Sequence, residues 1–225
     1  MPLLRKQHRQ KYEHNDILAY CGDWADILPG LPECACVVTD PPYNEVNRKT
    51  GGLRKIDKGI ADSASVDCKA LATALANKAT GSIYVWCGTE QVSDLRAAFV
   101  VSGLTTRACV WEKSNPSPMN GQRLWLSSIE LCVFARKPFA TFNRHCKSPV
   151  WRGPTQRSKI HPTQKPVWLI KEQIEASTNA GDLVIDPFMG SGTTAIACLD
   201  LGRRFIGVDI CPEFFDAAIA RIKSH

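Results

Sequence analysis

No apolar run in the 225-residue chain is long enough to cross a membrane. No C-x-x-C pair occurs among its ten cysteines, and Cys34-x-Cys36 has no matching second pair, which argues against a bound metal. Cys36, Cys87, Cys109, Cys132 and Cys198 lie within or beside apolar runs, where cysteine behaves as a small hydrophobe. The expectation is a reducing, cytoplasmic setting. The opening "MPLLRKQHRQKYEHND" has charge but lacks the apolar core of a signal peptide, and it predicts a flexible basic arm over residues 1–15. The most informative lack is of acid. From Leu131 to Lys171 there is no Asp or Glu, while Arg136, Lys137, Arg144, Lys147, Arg152, Arg157, Lys159, Lys165 and Lys171 all fall there. Phe134, Phe139, Phe142, Trp151 and Trp168 are interleaved among them. A solvated face normally mixes charges of both signs. One-sided charge with aromatics suits a polyphosphate partner, so Arg144, Lys147, Arg152, Arg157 and Lys159 are candidate nucleic-acid contacts.

What is present is an alternation of two patterns. β-Branched or aromatic runs at 17–20, 35–39, 81–87, 107–113, 129–135, 182–186 and 204–209 read as strands. Helical spacing lies near 65–78, 89–101, 165–178, 192–201 and 212–223, with Pro212 suited to a first turn. Such alternation predicts an α/β sheet covered on both faces. Two stretches have no period: residues 44–63, rich in Gly and Lys and expected to be a mobile loop, and the basic segment 136–162. There is no internal repeat and no clear linker, so residues 1–225 are expected to form one domain.

Between Val184 and Asp209 a strand ends in an acid, a glycine turn follows, a helix begins, and a second strand ends in another acid. Residues 190–195, Gly-Ser-Gly-Thr-Thr-Ala, fit G-x-G-x-x-A, and Asp209 stands where an acid would hold ribose hydroxyls. Gly190 and Gly192 would let the backbone approach a ligand closely. The pattern fits a nucleoside cofactor but does not separate a dinucleotide from S-adenosylmethionine. The Lys of a Walker loop is absent.

The stretch "VVTDPPYN" ends an apolar strand in a rigid corner. Pro41 and Pro42 fix φ and remove two backbone donors, leaving carbonyls free to accept. Asp40 adds an ionised acceptor and Tyr43 a flat face. This set suits an exocyclic amine on a flat heterocycle. Such an amine is a poor nucleophile because its lone pair is delocalised, and two acceptors on its N–H groups would free that pair. The ring would stack on Tyr43.

Asp40-Pro41-Pro42-Tyr43 resembles the catalytic motif of amino-methyltransferases, which methylate adenine N6 or cytosine N4 in DNA. The segment from Asp186 through Phe188, Gly190, Gly192 and Thr193 to Thr194 is similar to their cofactor motif. "HPTQKP" at 161–166 resembles the element that precedes it in the β class, which carries the same circularly permuted motif order. "WEKSNPSPM" at 111–119 and "GD" at 22–23 are similar too, so the resemblance covers nearly the whole chain. It implies a Rossmann-like, mostly parallel seven-stranded sheet with one antiparallel edge, and S-adenosylmethionine as cofactor. By the same resemblance Asp186, Phe188, Gly190, Gly192 and Thr193 line the cofactor, Asp209 holds its ribose, Asp23 its adenine, and Thr163 and Lys165 its carboxylate end. Asp40, Pro41, Pro42 and Tyr43 are the expected catalytic residues. A homodimer is compatible with the class, although no feature of the sequence requires one.

By the same resemblance, aspartate at the motif's first position favours adenine N6, with cytosine N4 as the alternative because β-class cytosine-N4 enzymes also carry it. Family members usually carry a sizeable target-recognition region between the equivalents of "NPSPM" and "HPTQKP", whereas here a strand fills much of that interval. A short or degenerate recognition sequence is therefore expected. A nicotinamide oxidoreductase would leave the proline corner unexplained. An inactive DNA-binding subunit would not need Asp40 and Tyr43. Enzymes that methylate protein glutamine carry Asn where Asp40 stands.

Overall fold

The computed structural model describes residues 10–43, 66–118, 121–156 and 164–225. In chain order its elements are β1 (Lys11–His14), β2 (Ile17–Cys21), α1 (Trp24–Ile27), β3 (Cys34–Thr39), α2 (Cys68–Lys78), β4 (Ala79–Cys87), α3 (Val92–Val101), β5 (Thr105–Lys113), β6 (Ile129–Arg136), β7 (Val150–Gly153), α4 (Val167–Ser177), β8 (Leu183–Asp186), α5 (Thr193–Leu201), β9 (Arg204–Asp209) and α6 (Pro212–Lys223). The strands form one sheet in the order β1-β2-β9-β8-β3-β4-β6-β5-β7.

Strands β2, β9, β8, β3 and β4 run parallel. They are buried on both faces, which is why they read as near-continuous apolar runs. Along β4 the side chains alternate: Tyr84 and Trp86 enter one core with α4, α5 and α6, while Ile83, Val85 and Cys87 enter the other with α2 and α3. The chain leaves β3 through α2 toward β4 and leaves β8 through α5 toward β9, in opposite directions along the sheet. β3 and β8 are nonetheless neighbours, with Cys36 beside Val184 and Val37 beside Ile185. The crevice beyond their carboxyl ends is the topological switch point, where open α/β sheets bind ligands.

Four sequence expectations differ from the structure. The sheet has nine strands, not seven, because a short strand is added at each edge. The antiparallel strands are β1 at one edge and β6 in the interior, since β6 opposes both β4 and β5. Residues 11–14 of the expected arm form β1, turned back on β2 through Asn15 at φ 49°, a left-handed conformation that Asn tolerates. The basic segment is not without regular structure either: Val150–Gly153 pairs parallel with β5, and Trp151 turns inward against Trp86 with centroids 6.0 Å apart. The expected mobile loop at 44–63 lies outside the described residues, as do residues 1–9 and 157–163.

Candidate active site

Thr39 is the last residue of β3 and Asp186 the last of β8, so the pairing of these strands sets their side chains across the crevice. Thr39 Oγ1 donates to Asp186 Oδ1 at 2.9 Å. Thr194 Oγ1 donates to Asp186 Oδ2 at 2.7 Å, and Phe188 N to Oδ1 at 3.1 Å. Burial penalises the charge and outweighs these three donors, so the Asp186 carboxyl is pushed up to about 7.

The glycine turn follows. Gly190 and Gly192 both have positive φ, at 50° and 75°, but their surroundings differ. A Cβ on Gly192 would sit 3.2 Å from the Ala218 Cβ of α6, so this glycine permits close packing. A Cβ on Gly190 would meet nothing within 4 Å, so that side of the turn is open to a ligand. Asp209, at the end of β9, accepts from Gly190 N at 2.8 Å and from Cys211 N at 2.9 Å, tying the turn to the next strand. From α6, Arg221 Nη1 donates to Ser191 O at 3.0 Å and to Thr193 Oγ1 at 3.2 Å. Asp23 sits just beyond β2, where Gly22 N donates to Asp209 O at 2.8 Å. Its carboxylate caps α1 through Ala25 N at 2.9 Å, and the next residue, Trp24, lies against Phe188 with ring centroids 5.9 Å apart.

On the other side of the crevice the proline corner carries a knot of charge. Asp40 Oδ2 lies 2.5 Å from Lys165 Nζ, and Asp40 Oδ1 accepts from Tyr43 OH at 2.9 Å. Lys165 Nζ also reaches Tyr43 OH at 3.2 Å and stands 5.2 Å from the Trp86 ring centroid. Glu130 Oε2 is 3.0 Å from Lys165 Nζ, a charge contact that is not aligned for a hydrogen bond. Glu130 Oε1 pairs with Lys113 Nζ at 2.7 Å. Burial alone would lower the ammonium pKa of Lys165, but Asp40 and Glu130 together raise it well above its ordinary value. Burial likewise works against the Glu130 charge, yet Lys165 and Lys113 hold its carboxyl below the usual range.

The structure therefore brings Asp40, Pro41, Pro42 and Tyr43 beside Asp186, Phe188, Gly190 and Asp209 at one end of the sheet. Lys165, expected at the cofactor's carboxylate end, has its ammonium on Asp40. The hydroxyl of Thr193 faces Arg221. Among the candidate nucleic-acid contacts, Arg144 is paired with Glu172 and Glu175 of α4, Arg152 is paired with Glu112, and Lys147 is exposed. Arg157, Lys159 and Thr163 lie outside the described residues. Thr39, Lys113, Glu130 and Arg221 take part in this region without having been singled out in the sequence. Glu130 did offer a cue, as the one acid in a strand that is apolar from Leu131 to Ala135.

Comparison with known proteins agrees with this geometry. Residues 34–220 match the N6_N4_Mtase family, described as DNA methylase. The chain is 30% identical to the Type II methyltransferase M2.LlaDCHI of Lactococcus lactis subsp. cremoris, over 98% of this chain and 93% of that protein. It is 28% identical to the Type II methyltransferase M2.DpnII of Streptococcus pneumoniae, over 95% and 92% of the two chains. Among solved structures, the complex of M1.HpyAVI with SAM superposes with a TM-score of 0.73 at 27% identity, covering 91% of this chain and 99% of that one. The cytosine-N4-specific PvuII DNA methyltransferase shares the fold, with a TM-score of 0.75 at 17% identity over 93% and 87% of the two chains. A family match over residues 34–220, most of the chain, makes this protein a member of the N6_N4_Mtase family of DNA methylases.

Proposed function

We propose that the chain transfers a methyl group from S-adenosylmethionine to the exocyclic N6 amine of adenine in DNA, on a base turned out of the helix. The observation that carries this reading is the hydrogen bond from Thr39 to Asp186, which fastens the strand ending in Asp40 to the strand that opens the glycine turn.

The residues on the cofactor side fit S-adenosylmethionine. The open space over Gly190 admits a ligand against the backbone, and a buried carboxylate at Asp186 suits the cofactor's cationic groups. Asp186, Phe188, Gly190, Gly192 and Thr193 would line it, Asp209 would accept from its ribose, and Asp23 would lie at its adenine. Thr163 is assigned to its carboxylate end. Bound there, S-adenosylmethionine supplies an electrophilic methyl group. The protein has to hold the amine in line with that group and exclude water. The Asp40 carboxylate and the Pro41 carbonyl accept the amine's two N–H groups and draw the nitrogen toward tetrahedral geometry. Tyr43 supplies the stacking face. In the described state its hydroxyl is tied to Asp40, so base entry breaks that bond. Turning the base out of the stack costs a few kcal/mol, on the order of what the stacking and hydrogen bonds return.

The acid-free stretch supplies the DNA-facing charge, with Arg144, Lys147, Arg152, Arg157 and Lys159 as backbone contacts. Because few side chains remain for base readout, the recognition sequence is short or degenerate. Ten free thiols support a reducing compartment, and no described helix is long and apolar enough to cross a membrane. The deciding experiment is to express the chain in a host whose DNA is unmethylated, digest the DNA to nucleosides and weigh them. N6-methyladenine is expected, N4-methylcytosine would transfer the reading to the other base, and unmodified DNA would refute it. Mapping the modified positions should show partial modification of many short sites. One long, fully modified motif would contradict the specificity proposal.

A further inference from the structure

We infer that Lys165 and Glu130 are positioning residues for the catalytic aspartate, and that Lys165 acts on methyl transfer rather than on cofactor binding. The inference rests on the proposed reaction and deepens it.

A lysine ammonium has three N–H groups. Two of those of Lys165 are committed to Asp40 Oδ2, at 2.5 Å, and Tyr43 OH, at 3.2 Å. Its charge is met again by Glu130 at 3.0 Å. The side chain is only 6% exposed, with the Trp86 and Tyr43 rings 5.2 and 5.6 Å from the nitrogen. A cation so enclosed cannot swing out to a distant partner without leaving Asp40 and Glu130 without the cation that both face. Lys113, Glu130, Lys165 and Asp40 thus form an alternating row of charges, with Lys113 and Glu130 anchored at the facing ends of β5 and β6.

The row does two things for Asp40. It fixes which way the carboxylate faces, since among the described residues one oxygen is held by the ammonium and the other by the hydroxyl of Tyr43. It also holds the carboxylate in place as a hydrogen-bond acceptor for the incoming amine. Glu130 is paired with Lys113 and Lys165. It acts through Lys165, holding the ammonium at the corner when Tyr43 moves aside.

The test uses the full chain and variants Lys165→Met, Glu130→Gln and the double variant, each checked for a wild-type thermal transition. Two quantities are read: the Kd for S-adenosylmethionine by calorimetry, which needs no turnover, and kcat on DNA. Lys165→Met should lose about 100-fold in kcat, with Kd within about threefold of wild type. Glu130→Gln should lose about tenfold, and the double variant should match Lys165→Met alone, because Glu130 works only through the lysine. A Kd raised tenfold or more with kcat preserved would make Lys165 a cofactor ligand and overturn the inference. So would losses that multiply in the double variant. If Lys165→Met fails to fold, Glu130→Gln and Lys165→Arg carry the same comparison. Wild-type protein that binds the cofactor but methylates no DNA would count against the proposed reaction, and the binding measurement would still decide the role of Lys165.

Discussion

The two halves of the crevice hold their carboxylates by different means. On the glycine side, Asp186 and Asp209 accept from backbone amides and from the hydroxyls of Thr39 and Thr194. These donors are fixed by the strands and turns that carry them. On the proline side, Asp40 accepts from a lysine ammonium and a tyrosine hydroxyl at the ends of longer side chains. The first arrangement suits a site that must keep one shape to receive the same small molecule at every turnover. The second suits a site in which one partner must leave so that a base can enter.

The contrast can be broken first at Tyr43. Tyr43→Ala removes both the stacking face and the hydroxyl, and kcat on duplex DNA should fall about 10- to 100-fold. Tyr43→Phe removes only the hydroxyl that must be displaced, and kcat should stay within about threefold of wild type or rise. Equal losses in both variants, measured by methyl incorporation, would mean that the hydroxyl does more than occupy Asp40.

The fixed side gives a pH signature. An acid raised to about 7 by burial keeps its proton in the folded chain where an unfolded aspartate, ordinarily near 3.8, has lost it. The contribution of Asp186 to stability is therefore most favourable below the unfolded value, declines as pH rises toward about 7, and is flat above. Affinity for the cationic cofactor should move the other way, strengthening as pH rises through about 7. In Asp186→Asn both dependences should vanish from difference curves of thermal melting and calorimetric Kd. Retained pH dependence in that variant would assign it to another group.

A smaller effect separates the two glycines. Gly192→Ala forces a Cβ against Ala218 at positive φ and should cost about 1–3 kcal/mol of stability. Gly190→Ala shares the strain of a side chain at positive φ but has room for its Cβ, so it should lose less stability than Gly192→Ala and lose cofactor affinity as well. The same ranking of the two variants in both assays would remove the distinction. The smallest effect is expected on the DNA face. Lys147→Ala and Arg144→Ala should each weaken DNA binding a few-fold and lower the slope of log affinity against log salt by about 1, without altering cofactor Kd.

Much of this was legible in the sequence because the central strands are buried on both faces and announce themselves as apolar runs. The proline corner and the glycine turn were legible because fixed φ, missing donors and positive φ are properties of single residues. The edge strands were not. β1 and β7 have four residues each and turn few side chains inward, so they carry too little periodicity to stand out. The charged row was hidden for a different reason. Lys165 and Asp40 are 125 residues apart, and Glu130 meets the lysine only because β6 inserts antiparallel between β4 and β5. Neither local spacing nor composition records that register.

The central claim is that Asp40 acts on the amine and not on the cofactor. It is tested most directly by comparing Asp40→Ala with wild type in two assays on the same preparation: calorimetric binding of S-adenosylmethionine and transfer of a labelled methyl group to DNA. The account predicts a Kd within about threefold of wild type and transfer reduced by at least about 1000-fold. Methyl transfer that survives in Asp40→Ala, or transfer that falls only as far as cofactor binding does, would contradict it.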